Sequence, residues 1–323
     1  MDIVIIDGLS FALPLFIMAI GGIYCEKSGV TMLAVEGLQG FGAFIGAFVA
    51  VAIAGNFSGD SPVPFYIAMI MAAVGGSIFA LIHALLCLKF KANQVISGVV
   101  VNILAMALTA YLTKLLNRVV FGATSDKFVL TVSSRITIPG ISKIPVLGAV
   151  FTNLYPFELV IVAVAFIAWF VMYKTRFGLR LRACGEHPQA ADSVGINVYK
   201  MRYAGVLISG FLCGVGGLAY TVAAGSGFNS DVGGYGFLAL AVMIFGNWKP
   251  FPILASSLFF ALFKVIAAYS SSLSFLPKFE GVKEVSNFYQ MLPYIVTMIV
   301  LIFTSKNSQA PKAEGIPYDK GSR

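Results

Sequence analysis

Three ionisable side chains lie inside long apolar runs and are the first candidates for chemistry: Glu36 in TMLAVEGLQGFGAF, His83 in SIFALIHALLCL and Lys264 in ALFKVIAA. Charge in such a setting is costly, so it faces a cavity, pairs with a neighbour or reaches an interface. Glu36 reads as functional, facing a cavity or pairing with a cation. His83 reads as a helix-packing donor. Lys264 either faces a polar interior or meets a carboxylate. The motifs of covalent chemistry are missing. There is no HExxH, no GxxxxGK[ST], not even a Gly-Lys dipeptide, and GGSIF and GFNSD do not set a serine between the right glycines. Cys25, Cys87, Cys184 and Cys213 are scattered without a CxxC, which predicts reduced structural thiols and no metal. No catalytic residue is assigned, and the expectation is a protein that is not an enzyme. Nor is there the chain of Asp, Glu and His that a proton-coupled carrier uses.

The elements that must hold these residues are helices in lipid. Of 323 residues, 59% are apolar and 11% charged, with a mean hydropathy of +0.90. A soluble domain carries about 25% charged residues. Apolar runs fall at 9–24, 31–54, 64–88, 94–116, 155–174, 204–224, 236–248, 251–272 and 288–304. Crossing the hydrocarbon takes about 20 residues. The expected fold is therefore an all-α integral membrane protein, a polytopic bundle of about 8–9 transmembrane segments. The seventh run is too short for a straight crossing and reads as a half-helix or re-entrant piece lining a cavity. MDIVIIDG has Asp2 and Asp7 and no basic flank, so the first run stays as an anchor. Pairs such as Gly42 and Gly46, and Gly210 and Gly214 with Gly216 and Gly217, predict close helix packing and say nothing of cargo.

The formal charge of +8 sits between the apolar runs rather than in a solvated patch with aromatics, which argues against nucleic acid. Segment 174–203 is the densest in basic residues. With it in the cytoplasm, and the short seventh run counted as a crossing, alternation puts fourteen lysines and arginines inside and seven outside, Lys264 lying within a span. The N-terminus is then outside and the C-terminus inside. The expected organisation is one membrane domain over 1–304, an external segment at 117–154 and a polar, disordered cytoplasmic tail at 305–323. TVSSRITIPGISKIP in the external segment is expected to be extended structure or a small cap, not a helix.

The inner loop RFGLRLRACGEHPQAADSVGINVYKMRY is the most informative stretch. Pro188 suits the first turn of a helix, Gln189 to Val194 continues it, and Gly195 is a stop. Small alanines on a two-turn surface helix suit insertion into a partner's groove.

Here the chain resembles the permease subunits of ABC importers. Gln189-Ala190-Ala191, three residues and Gly195 resemble the EAA-xxx-G coupling signature, with Gln189 where the motif has Glu. Further segments follow in order: Gly21-Gly22, Glu26-Lys27, Ser28-Gly29 and Glu36-Gly37 of the opening; ANQVISGVVVNILA; RACGEHPQAADSVGINVYKMRY; SGFLCGVGGLAY; and GFLALAVMIFGNWKP. Together, from about Ala12 to Leu301, they are similar to the branched-chain amino acid, ribose and nucleoside type of permease, closest to the nucleoside branch linked to a binding lipoprotein. The GIDLSVG-like stretch of the sugar variant is absent.

The resemblance implies a multi-pass permease in the cytoplasmic (inner) membrane of a prokaryote, pairing with a second related permease or its own copy. It implies a cytoplasmic ABC ATPase, which uses ATP and Mg, and an extracytoplasmic substrate-binding lipoprotein; no cofactor is bound by this chain. The ATPase-coupling residues would be Gly185, Glu186, Pro188, Gln189, Ala190, Ala191, Asp192 and Gly195. A nucleoside presents an aromatic base and a hydroxyl-rich ribose, so the substrate pathway is expected among Glu36, Asn102, Phe228, Asn229, Phe245 and Asn247. Glu36 and Asn102 stand first. Purine nucleosides are the favoured cargo; branched-chain amino acids, a monosaccharide and an ion-coupled secondary carrier are the alternatives, while a channel or scaffold lacks a supporting motif.

Overall fold

The computed structural model describes residues 2–57, 61–130, 137, 154–225, 227–269, 291–292, 294–299, 302 and 309–321. Lipid offers no hydrogen bonds to the backbone, so the apolar runs close on themselves as helices. These are α1 (Asp2–Glu26), α2 (Val35–Ala54), α3 (Val63–Ala84) with a π-helical turn at Leu85–Lys89, α4 (Gln94–Val120) and α5 (Pro156–Lys174), followed by the short α6 (Arg176–Glu186) and α7 (Pro188–Ser193). Then come α8 (Val198–Ala223), α9 (Tyr235–Phe245) and α10 (Pro250–Ala268). Among the described residues, seven are long and apolar enough to cross a membrane: α1, α2, α3 with its π turn, α4, α5, α8 and α10. Among the described residues the result is the nearly all-helical, multi-pass bundle that composition implies, with one isolated β-bridge between Phe128 and Phe228. The ninth run lies largely outside the described residues, and its described positions between 291 and 299 are helical. The stretch TVSSRITIPGISKIP also lies outside them, apart from Thr137.

Side-chain caps set several boundaries. Asn93 Oδ1 accepts from the N–H of Val95 (2.9 Å) and Ile96 (3.1 Å) to open α4, and Asn197 Oδ1 accepts from Lys200 (2.9 Å) to open α8. Thr175 Oγ1 accepts from Gly178 (3.3 Å), starting α6 immediately after α5 ends.

The centre is α1 and α8, the two most enclosed spans, with α2 and α3 packed on α8. This contact depends on glycine. A Cβ on Gly42 or Gly76 would strike the backbone of α8 at Gly214 or Gly210. Close backbone approach is how helices gain contact where lipid and side chain are equally apolar. His83, fully buried, ties the layers: Ser97 of α4 lies 2.9 Å from Nδ1, and Nε2 donates to the Thr31 carbonyl (3.1 Å). The helix-packing reading of His83 holds.

One end of the bundle gathers the α1–α2 turn, the turn before α4, α6, α7, the α9–α10 turn and the tail. Here the structure departs from the disorder that polar composition predicts. Residues 309–321 pack on the bundle, with Pro311, Ala313 and Tyr318 buried. Three apolar side chains at intervals suffice, because backbone groups along the tail also find partners: Ala313 N–H donates to Gly185 O (2.9 Å), and Ile316 O accepts from Arg202 Nη1 (2.9 Å).

Candidate functional site

Two interruptions of helix meet inside the bundle. The first is the link between α1 and α2, which runs without helix from residue 30 to 34. Non-helical backbone at membrane depth is tolerated only where protein satisfies it. Thr31 N–H donates to Gln94 Oε1 (2.7 Å), Leu33 O accepts from Asn102 Nδ2 (2.8 Å), and Gly37 N–H donates to Asn102 Oδ1 (2.7 Å). Asn102 thus clamps both sides of the start of α2. A Cβ on Gly37 would strike Val101 and Asn102, so glycine permits the approach.

The second interruption is the loop before α9. The α9 helix has 11 residues, which is about 16 Å at 1.5 Å per residue, half a hydrocarbon core of about 30 Å. Its start lies in the bundle, where Tyr235 OH donates to Phe11 O of α1 (2.5 Å). Its far end lies beside the end of α1, where Trp248 Nε1 donates to Glu26 Oε2 (2.5 Å). It is the half-helix that its short apolar run suggests. The Glu36 carboxylate caps it, accepting from the N–H of Gly234 (2.9 Å) and Gly236 (2.6 Å). A negative group at a helix N-terminus satisfies orphan N–H groups and meets the positive end of the dipole. Glu36 thus pairs with backbone amides at the wall of the bundle's interior.

Between these interruptions lies a cavity of about 280 Å³, near the ~300 Å³ lower end of small-molecule pockets. Val99, Ile103, Met106 and Phe237 give it apolar walls; Glu36, Asn102, Thr109, Ser230 and Asp231 supply the polar atoms. Such a lining can hold a flat apolar group and hydrogen-bond a neutral polar one. No group of three or more metal-ligating side chains occurs among the described residues.

The second region is the end face at α6 and α7. Pro188 and Ala191 are buried, while Glu186, Gln189, Ala190, Ser193, Val194 and Gly195 are exposed. Gly195 has φ +83°, donates to Asp192 O (2.9 Å), and is followed by Ile196 N–H to Ala191 O (3.0 Å). This double closure is a Schellman stop, for which glycine is suited because it carries no Cβ penalty. Gly185 rests on the backbone of Lys27, so α6 is seated on the α1–α2 turn.

A model of the branched-chain amino acid transport system permease component matches residues 4–304. The guanosine ABC transporter permease protein NupQ of Bacillus subtilis is 38% identical over 100% of this chain and 98% of its own length. The nucleoside ABC transporter permease protein NupC of Lactococcus lactis is 38% identical over 99% of this chain and 98% of its own. The chain belongs to this permease family. A third relative, the putative glucose ABC transporter permease protein TsgC13 of Haloferax volcanii, is 30% identical over 81% of the permease and 76% of its own length. The permease is accordingly a multi-pass membrane transport component and not an enzyme.

Of the residues expected to line a pathway, Glu36 and Asn102 meet at the cavity. Phe228 and Asn229 lead into its loop but do not line it. Phe228 is buried against Phe44, and its N–H and C=O pair with those of Phe128. Phe245 and Asn247 belong elsewhere in the permease, because α9 carries them to its opposite end. Phe245 packs on Phe260 with ring centroids 5.3 Å apart, and Asn247 Oδ1 accepts from the Gln309 N–H of the tail (2.8 Å). The lining residues Thr109 and Asp231 were not singled out in the sequence. Thr109 follows Asn102 by seven positions on the same helix face, a usable signal. Asp231 precedes the Gly233-Gly234 pair that marks the interruption.

Proposed function

We propose that this permease forms, with a second related subunit or its own copy, the path through which an ATP-driven importer carries nucleosides, purine nucleosides foremost. The two relatives aligned along nearly the whole chain, named for guanosine and for nucleosides, support the cargo class most directly. The cavity suits it: Phe237 and the aliphatic wall can face a base, while Asn102, Thr109, Ser230 and Asp231 can meet ribose hydroxyls. A monosaccharide is the second reading, supported by the glucose-named relative at 30% identity.

The α7 helix is the contact for the ATPase subunit, which uses ATP and Mg; this chain binds neither. Ala190 and Val194, exposed and small or aliphatic, are the groups offered to its groove. Ala191 faces inward against Cys184, Val198 and Tyr318 and supports the helix from beneath. The end face carrying α7 and the C-terminal tail is cytoplasmic, as the excess of lysine and arginine on that side supports, and the N-terminus is external. A substrate-binding lipoprotein would deliver cargo at the other face.

Uptake of labelled guanosine, in cells with and without the gene, tests this reading. It should require the gene and ATP and survive an ionophore. Uptake that dies with the ion gradient while ATP is maintained would make the chain a secondary carrier. Uptake blocked by excess glucose but not by excess adenosine would move the cargo to sugars.

A further inference from the structure

We infer that the C-terminal segment 309–321 is a positioning strap that locks the α6–α7 hairpin to the transmembrane helices, so that movement of the hairpin reaches the bundle. The inference rests on the reading of α7 as the ATPase contact.

The strap touches each piece that such a lock must join. At its start, Gln309 N–H donates to Asn247 Oδ1 (2.8 Å) in the turn that ends half-helix α9. Ala313 N–H then donates to Gly185 O (2.9 Å), near the junction of α6 and α7. Ile316 O accepts from Arg202 of α8 (2.9 Å), a guanidinium with no exposure, and Tyr318 O accepts from Tyr199 OH (3.1 Å). The rings of Tyr199 and Tyr318 meet edge to face at 5.3 Å. Tyr318 is buried in a small cluster with Cys184, Ala191 and Val198, so one tail side chain touches α6, α7 and α8 together. Beyond it, Asp319 pairs with Lys91 (2.9 Å) in the turn before α4, and Lys320 stands 4.0 Å from Asp192 of α7.

α6 is seated on the bundle by itself, with Leu181 in the main core, Gly178 against the backbone of Val171 and Met172 and Gly185 on that of Lys27. The six-residue α7 buries only Pro188 and Ala191, and it is this end of the hairpin that needs the lock. The strap connects it to α8, to the turn that opens α4 and to the turn that closes α9, the last two being helices that carry cavity-lining residues. Force applied at Ala190 therefore has a packed route to the helices that hold the pathway.

The test compares the full chain with a chain ending at Lys312, and with Tyr318→Ala, Tyr318→Phe and the pair Lys91→Asp and Asp319→Lys, singly and together. Three readouts are taken: tryptic cleavage at Arg180, Arg182 and Lys200 in inside-out vesicles, ATP hydrolysis by the affinity-purified complex, and guanosine uptake. The truncated chain should reach the membrane in normal amount and keep its ATPase subunit and basal hydrolysis. Its hairpin should be cut at least tenfold faster, and uptake should fall about tenfold. Tyr318→Ala should follow it. Tyr318→Phe, which keeps the ring but loses the hydroxyl's bond to Asp192 of α7, should fall between that variant and the parent. The double charge reversal should recover what either single change loses. Unchanged cleavage on truncation overturns the strap, whatever the cargo proves to be. Faster cleavage with full uptake overturns its part in coupling. If the parent carries no guanosine, the cargo reading fails, and substrate-independent coupling is read from cleavage and from loss of tight control of ATP hydrolysis; no change in either overturns the inference.

Discussion

The cavity and the α7 end face are both places where helix is interrupted, and both are held by groups distant in sequence, but they are held in different media. At the cavity, Glu36 and Asn102 satisfy backbone N–H and C=O groups inside the bundle, where an unpaired group costs several kcal/mol. At the end face, the tail covers Gly185, Tyr199 and Arg202 at the bundle's rim, and its departure would open them to water, which can replace the lost partner. The first region should therefore answer mutation with lost stability, and the second with lost coupling while the fold survives.

The sharpest attempt to break that contrast is Glu36→Ala. It strips the cap from α9 and leaves the N–H groups of Gly234 and Gly236 unpaired, at about 1–3 kcal/mol each. Thermal unfolding in detergent should drop strongly and uptake should vanish, while Glu36→Gln, which keeps one acceptor, should fall between. Asn102→Leu comes next. It frees Leu33 O and Gly37 N–H and should cost about 2–3 kcal/mol in the same assay. Ala190→Trp, on the exposed face of α7, should change stability by less than about 0.5 kcal/mol, as for surface positions away from packing, yet abolish uptake. Equal instability in the Ala190 and Asn102 variants would erase the distinction. The smallest effect concerns the tail. Burial lifts the Glu314 carboxyl from 4.5 to about 7 in the docked tail, where Glu26 of α1 is its acidic neighbour. A raised carboxyl means docking is strongest below pH 4.5 and weakens as pH rises through 7. Tryptic cleavage of the hairpin should accordingly be faster at pH 8 than at pH 6, and Glu314→Gln should flatten that difference.

Much of this architecture was legible in the sequence, for physical reasons that also explain what was hidden. The apolar runs announce their helices because lipid leaves the backbone no other partner. Pro188 and Gly195 bracket α7 because fixed φ and positive φ are local properties. Glu36 and Asn102 were visible as polar groups in apolar surroundings, but not as backbone clamps, since the amides Glu36 binds lie 198 and 200 residues away. Asn247 stands out on the same grounds, and in the structure its side chain accepts from the tail. Composition counts the tail's charge and proline, whereas its docking turns on the spacing of Pro311, Ala313 and Tyr318 against a ready surface. The Glu26-Lys27-Ser28-Gly29 segment, noticed only as part of a resemblance, has a structural role: Lys27 seats Gly185, Gly29 lies under Arg202, and Ser28 lies against Gly205.

The central claim, that cargo passes through the cavity between the two clamped interruptions, is tested most directly at Gly40. This glycine lines the cavity, and a side chain there would first meet only Val232, at van der Waals distance (3.9 Å). Guanosine uptake should be measured for Gly40→Ala and Gly40→Phe at matched membrane levels. The account predicts that Gly40→Ala transports well and is slightly more stable, by up to about 1 kcal/mol from helix propensity. It predicts that Gly40→Phe retains its fold and its ATPase subunit but carries no guanosine. Full uptake by Gly40→Phe would place the pathway elsewhere and contradict the account.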